Sequence, residues 1–140
     1  MNILLVDDCG MMRRFQKKVL ADLGNVQFLE ARDGVEALET IATCGPFDLV
    51  LVDWSMPRMN GHTLVQRVRA SDKATPLIMV TSEADRSRVI EAIRSGVNDF
   101  IIKPFSPETL LEKVRKVIEK CPRPISPSLE TSRMNVLTGI

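Results

Sequence analysis

Three aspartates, one threonine and one lysine stand at the ends of separate apolar runs. Asp7 and Asp8 close "ILLV" (3–6), Asp53 follows "LVLV" (49–52), Thr81 follows "PLIMV" (76–80) and Lys103 follows "FII" (100–102). Two adjacent carboxylates at the end of a hydrophobic strand repel each other, and no basic residue sits beside them in the chain. A third carboxylate brought into the same partly buried crevice raises at least one pKa unless something positive enters. A hard divalent cation meets that need. Mg²⁺ prefers oxygen ligands, takes one or two carboxylates and keeps positions for water and phosphate, and Mn²⁺ can substitute. With the cation bound, Asp53 can act as a nucleophile toward phosphorus and form an aspartyl phosphate. The Lys103 ammonium would then stabilise equatorial charge, and the Thr81 hydroxyl would donate to a phosphoryl oxygen.

The elements that must gather these residues are legible in the periodicity. Five apolar runs, at 3–6, 26–31, 49–52, 76–80 and 100–102, alternate with segments of helical period. In "MRRFQKKVLADLG", Met12, Phe15, Val19 and Leu23 share one face and Gly24 is a natural stop. In "SPETLLEKVRKVIEK", Ser106 can cap and Pro107 suits the first turn. Leu110, Leu111, Val114, Val117 and Ile118 form that segment's apolar stripe. The runs at 3–6 and 49–52 are apolar throughout, as expected of parallel strands covered on both faces. Repeated βα units imply right-handed crossovers and an α/β fold, a doubly wound five-stranded parallel sheet with helices on both faces. Ligands in such sheets collect outside the carboxyl ends of the strands, where all five chemistry-bearing side chains converge.

Composition narrows the function classes. A chain of 140 residues holds one full core, residues 1–120, and its 44% hydrophobic and 26% charged content is that of a soluble globular protein. A net charge of +1 gives no global attraction to nucleic acid or anionic membrane. No apolar run approaches bilayer length and no signal peptide precedes the first strand, so a cytoplasmic location without a membrane partner is expected. The three cysteines, Cys9, Cys44 and Cys121, lack CxxC spacing and indicate neither a disulfide framework nor a zinc site. Residues 121–140, with three prolines and no periodicity, read as a flexible tail or the start of a linker. The alternative is a docking segment using Met134, Val136, Leu137 and Ile140.

Taken together, "VDD" (6–8), "DWSMPRMNG" (53–61), "TS" (81–82) and "KP" (103–104) resemble the response regulator receiver domain of two-component signalling, over essentially residues 1–120. The resemblance, to a stand-alone chemotaxis-type regulator, implies the flavodoxin-like strand order 2-1-3-4-5, which chemotaxis receivers are commonly used to illustrate. It implies Asp53 as phosphoacceptor, Asp8 as a direct metal ligand, Asp7 reaching the metal through water and the Ser55 carbonyl completing the protein ligands. Thr81 and Lys103 would contact the phosphoryl group, and the Lys103–Pro104 bond would be cis. Phe100 occupies the position of a switch aromatic that is often tyrosine, and here lacks the hydroxyl. Ser55 and Glu83 occupy variable positions that tune dephosphorylation. The implied partners are a sensor histidine kinase or histidine phosphotransfer protein and an output protein reached through the fourth helix, fifth strand and fifth helix. Catalysis would extend only to the domain's own phosphorylation and dephosphorylation.

Plainer readings stand beside these. Aspartate favours helix caps and turns, Thr81 suits a strand, Phe100 suits a core, and His62 reads as an exposed residue at a helix start. Arg13, Arg14, Lys17 and Lys18 form either a solvated face or a docking patch beside the site. Trp54 either shields the acceptor or fills its loop. An FMN-binding protein of the same architecture would offer hydroxyls and free amides where "DDCG" offers carboxylates. A metal-dependent phosphatase would carry a DxD spacing, which is absent, and direct DNA binding has no helix-turn-helix after Lys120 to support it.

Overall fold

The computed structural model describes residues 1–82 and 86–120. Glu83 and the expected tail at 121–140, with Cys121, Met134, Val136, Leu137 and Ile140, lie outside the described residues. Strands β1 (Asn2–Val6), β2 (Gln27–Ala31), β3 (Leu49–Asp53), β4 (Leu77–Thr81) and β5 (Asp99–Ile102) alternate with helices α1 (Gly10–Leu20), α2 (Gly34–Cys44), α3 (Gly61–Arg69), α4 (Arg86–Ser95) and α5 (Pro107–Lys120). The sheet runs β2-β1-β3-β4-β5 with every neighbouring pair parallel, the expected order. Val6 pairs with both Ala31 and Val52, Asp53 with Val80 and Thr81 with Ile102, so the strands end nearly level. That register brings Asp7, Asp53, Thr81 and Lys103 to one edge.

Alternation along the strands divides the core into two layers. Leu4, Val6, Val50, Val52 and Met79 pack with Ala37 of α2, Leu64, Val65 and Val68 of α3 and Ala92 of α4. Ile3, Leu5, Leu49, Leu51, Ile78 and Val80 pack with Leu20 of α1 and Leu110, Val114 and Val117 of α5. Each fully buried aliphatic side chain contributes about 1.5–3 kcal/mol, which makes the central strands the rigid base of the functional edge.

Local signals set the helix ends. Asp33 accepts the Glu36 N–H at 2.9 Å, Asn60 the Thr63 N–H at 2.8 Å and Ser106 the Thr109 N–H at 3.1 Å, each an N-cap. Helix α1 passes through a 3₁₀ turn at Ala21–Leu23 and stops at Gly24, whose φ of +104° favours glycine. Gln16 and Leu20 are the buried residues of α1, and the expected face flanks them: Met12, Phe15, Val19 and Leu23 are half-buried, with Val19 and Leu23 packed against the core layer and Phe15 against Phe105. On α5, Leu110, Val114 and Val117 are buried and Leu111 and Ile118 pack against them, as the stripe required. Among the described residues no helix is long and apolar enough to cross a membrane.

Candidate functional site

Asp7, Asp8 and Asp53 each present a carboxylate oxygen, and the three oxygens lie within 4.8 Å of one another. Asp7 is 1% exposed and Asp53 6%, while Asp8 faces solvent. The Cys9 N–H donates to Asp7 Oδ1 at 2.8 Å, which leaves the other oxygen, Oδ2, buried and without a hydrogen bond. Lys103 supplies the nearby positive charge. Its Nζ lies 3.2 Å from Asp53 Oδ1 and 3.6 Å from Asp7 Oδ2, and its backbone N–H donates to the Thr81 carbonyl at 2.7 Å.

One ammonium does not balance three carboxylates. Burial pushes the Asp53 carboxyl up to about 6, and the Asp7 charge adds to the rise against the opposing effect of Lys103. Burial raises Asp7 as well, although the Cys9 amide and Lys103 oppose it. For Lys103, burial disfavours the charge, but Asp53 and Asp7 outweigh that cost and hold its pKa above the ordinary value. A buried carboxylate oxygen whose nearest positive charge is a shared ammonium at 3.6 Å, together with this excess of negative charge, suits a hard cation with oxygen ligands.

The loop after Asp53 is held tightly against the strand. The Gly61 N–H donates to the Trp54 carbonyl at 2.8 Å, and a Cβ at Gly61 would lie 2.3 Å from the Asp53 carbonyl oxygen, so only glycine fits without displacement. Arg58, at φ +65°, donates from Nε and Nη2 to Asp33 Oδ2 at 2.9 and 2.7 Å, tying the loop to the cap of α2. Trp54 turns into the core and is 6% exposed. Its ring stacks on His62 at 5.4 Å, and the Arg88 guanidinium lies 5.2 Å from its centroid. His62 is therefore half-buried against an aromatic face rather than exposed. An open cleft of about 450 Å³ begins here, lined by Asp8, Trp54, Ser55, Met56, Asn60 and Arg88.

Comparison with known proteins agrees with this geometry. Residues 3–115 match the response regulator receiver domain family. The chain belongs to that family. The receiver is 45% identical over 122 residues to the chemotaxis protein CheY of Pseudomonas aeruginosa, an alignment covering 86% of this chain and 98% of the relative. It is 46% identical to chemotaxis protein CheY-3 of Vibrio cholerae, covering 86% of this chain and 93% of the relative. The solved CheY-like receiver from Methanospirillum hungatei superposes with a TM-score of 0.78 at 28% identity, covering 85% of this chain and 94% of that one.

Within the receiver, Thr81 is buried at the end of β4. Phe100 lies opposite Met79, one pleat below the Thr81–Ile102 pair on the same face of the sheet. Its ring is half-buried against the α2–α4 layer, and Lys113 Nζ stands 5.1 Å from its centroid. The Lys103–Pro104 bond is cis, as the resemblance implied. The basic cluster of α1 divides. Arg13 and Lys17 pair with Glu30 at 2.9 and 3.1 Å, and Arg13 also donates to the Asp7 carbonyl, while Arg14 and Lys18 face solvent. Sequence reasoning did not single out Glu30, Asp33, Arg58 or Arg88. Their partners lie far along the chain, and of the four only Asp33, an aspartate just before an apolar helix, carried a local signal.

Proposed function

We propose that this receiver is a phosphorylation-dependent switch whose phosphoacceptor is Asp53. The observation that carries this reading is the position of the Asp53 carboxylate, clustered with Asp7 and Asp8 at the edge of the sheet and 3.2 Å from Lys103. Asp7, Asp8, Asp53 and the Ser55 carbonyl would hold Mg²⁺, or Mn²⁺ in its place. When bound, the ion supplies positive charge that offsets carboxylate repulsion and the charge of phosphoryl oxygens.

The donor is a sensor histidine kinase or a histidine phosphotransfer protein. An Asp53 oxygen forms a bond to phosphorus while the phosphorus–nitrogen bond of phosphohistidine breaks, and the imidazole leaves with the electron pair and takes up a proton. Lys103 neutralises charge on the transferred group, and the Thr81 hydroxyl donates to one of its oxygens. Hydrolysis of the aspartyl phosphate resets the switch. The domain catalyses these two steps on itself and is not otherwise an enzyme.

Output passes through α4, β5 and α5, with Thr81 and Phe100 as the coupled pair. Ile90, Ile93 and Ile102, which are 38, 55 and 38% exposed, give that surface an apolar component suited to a protein partner. The names of the chemotaxis relatives favour a role in chemotaxis. Residues 1–120 form the receiver, which acts in the cytoplasm with no direct DNA or membrane contact. Treatment with acetyl phosphate and Mg²⁺ tests the central point. Intact mass should rise by one phosphoryl group and fail to rise in Asp53→Asn; equal labelling of that variant refutes the assignment.

A further inference from the structure

We propose that Arg88 determines phosphodonor specificity by binding the leaving-group side of an acyl phosphate in the cleft beside Asp53. The inference rests on the phosphoacceptor reading of Asp53 and adds a donor-recognition residue to it. Lys103 is already committed to Asp53 and Asp7, at 3.2 and 3.6 Å. Of the described residues lining the cleft, Arg88 is the only cation and Asp8 the only anion, with Ser55 and Asn60 as neutral polar groups. Among the described residues no carboxylate pairs with Arg88, and its recorded partner is the Trp54 ring at 5.2 Å. Trp54 is itself braced by its stack on His62. A guanidinium on such a platform keeps its charge, is weakly hydrated and retains N–H donors for an anion. Helix α4 therefore delivers a pre-positioned cation to the wall of the cleft that Asp8 and Ser55 also line.

The donor's chemistry decides what this cation recognises. During transfer from acetyl phosphate, Asp53 bonds to phosphorus, the acyl oxygen–phosphorus bond breaks, and acetate departs with the electron pair and a growing negative charge. A guanidinium beside the acyl oxygens favours both the bound donor and that departure. Phosphoramidate releases ammonia from a protonated nitrogen and offers no such anion. Arg88 should therefore discriminate between two donors that carry the same transferable group.

The test compares wild type, Arg88→Ala and Arg88→Lys with both donors at saturating Mg²⁺. Arg88→Ala should raise KM for acetyl phosphate about five- to ten-fold while changing KM for phosphoramidate less than about two-fold. Arg88→Lys, which keeps the charge, should recover most of the loss. Acetonylphosphonate, the unreactive methylene analogue, gives a readout independent of turnover. Its affinity for the Mg²⁺-loaded protein, measured calorimetrically, should weaken in Arg88→Ala by the same factor as KM. An equal effect on both donors, a fall in kcat at constant KM, or unchanged analogue affinity overturns the proposal. If neither donor labels wild-type Asp53, the phosphoacceptor reading itself fails, and the analogue titration still decides the role of Arg88.

Discussion

The Lys103 ammonium lies 3.2 Å from Asp53 Oδ1 although the two residues are 50 positions apart in the chain. Parallel pairing of β3 with β4 and of β4 with β5 is what brings them together, because the lysine is the first residue beyond β5 and the aspartate is the last of β3. The contact stabilises both charges without neutralising the site, since Asp7 shares the same ammonium at 3.6 Å. The fold thus holds an electrostatically unfavourable cluster on a rigid base, ready for a positive charge.

That imbalance predicts a pH-dependent stability of the metal-free protein. The Asp53 carboxyl is raised from its ordinary 3.8 to about 6, so between those values the folded state binds more protons than the unfolded one. Stability must then fall as pH rises through that window, by at most about 3 kcal/mol from this group, and Asp7 contributes with the same sign. Urea unfolding in EDTA across pH 4 to 7 should show the decline. Asp53→Asn should flatten it and be the more stable protein at neutral pH, and Mg²⁺ should restore stability to wild type. A metal-free stability that rises over the same range is incompatible with this electrostatic balance.

Asp8 is the exposed member of the acidic trio, and its replacement leaves no buried hole. Asp8→Ala should therefore fold normally yet weaken Mg²⁺ at least about ten-fold, the loss of one charged ligand from a site with few. Trp54 lies beside the ligands, so its emission reports the titration. Superimposable curves for the variant and wild type would exclude Asp8 as a ligand.

The five strands and the gathering of Asp7, Asp8, Asp53, Thr81 and Lys103 at their ends were legible because apolar runs and strand-end polar residues are local signals, whereas the strand order came from the family resemblance, since periodicity assigns no neighbour to a strand. The α1 face was read less well: Gln16, a polar residue, is buried with Leu20, and amphipathic periodicity assigns no such position to glutamine. His62 and Arg88 were opaque for a different reason. Each gains its role from Trp54, which a strand or a neighbouring helix brings to it, and no spacing within either segment encodes that meeting. The pairing of Arg13 and Lys17 with Glu30 likewise depends on β2 lying beside β1.

Gly61 offers a test of the loop that carries Trp54 and Ser55. An added Cβ would stand 2.3 Å from the carbonyl oxygen of Asp53, a backbone atom that cannot swing aside as a side chain would. Gly61→Ala should cost about 1–3 kcal/mol in chemical denaturation, in the range of overpacked core substitutions. Because the displaced atom belongs to Asp53, phosphorylation by acetyl phosphate should also slow. Wild-type stability together with a wild-type rate would mean that the loop accommodates the methyl group freely.

Thr81 and Phe100 share one face of the sheet a single pleat apart, and the proposed coupling between the site and the α4–β5–α5 surface runs through them. A phosphoryl group on Asp53 should draw the Thr81 hydroxyl toward it, vacating space that the Phe100 ring can enter. Full burial of that ring is worth about 1.5–3 kcal/mol at most, and the ring starts half-buried, so the available gain is smaller. Against it stands the Lys113 ammonium at 5.1 Å, a cation–π contact worth about 0.5–1 kcal/mol at an exposed position. The difference biases a two-state equilibrium without locking it, and phosphorylation should produce a partial shift. With no hydroxyl on the ring, nothing polar must be desolvated for it to move inward. Thr81→Ala should therefore accept a phosphoryl group at close to the normal level while losing much of the response at Phe100. NMR of wild type and Thr81→Ala with beryllofluoride and Mg²⁺ separates the two effects: the variant should bind the mimic yet shift little around Phe100, Ile90 and Ile93. Equal shifts in both proteins would show that the signal reaches that surface by another route.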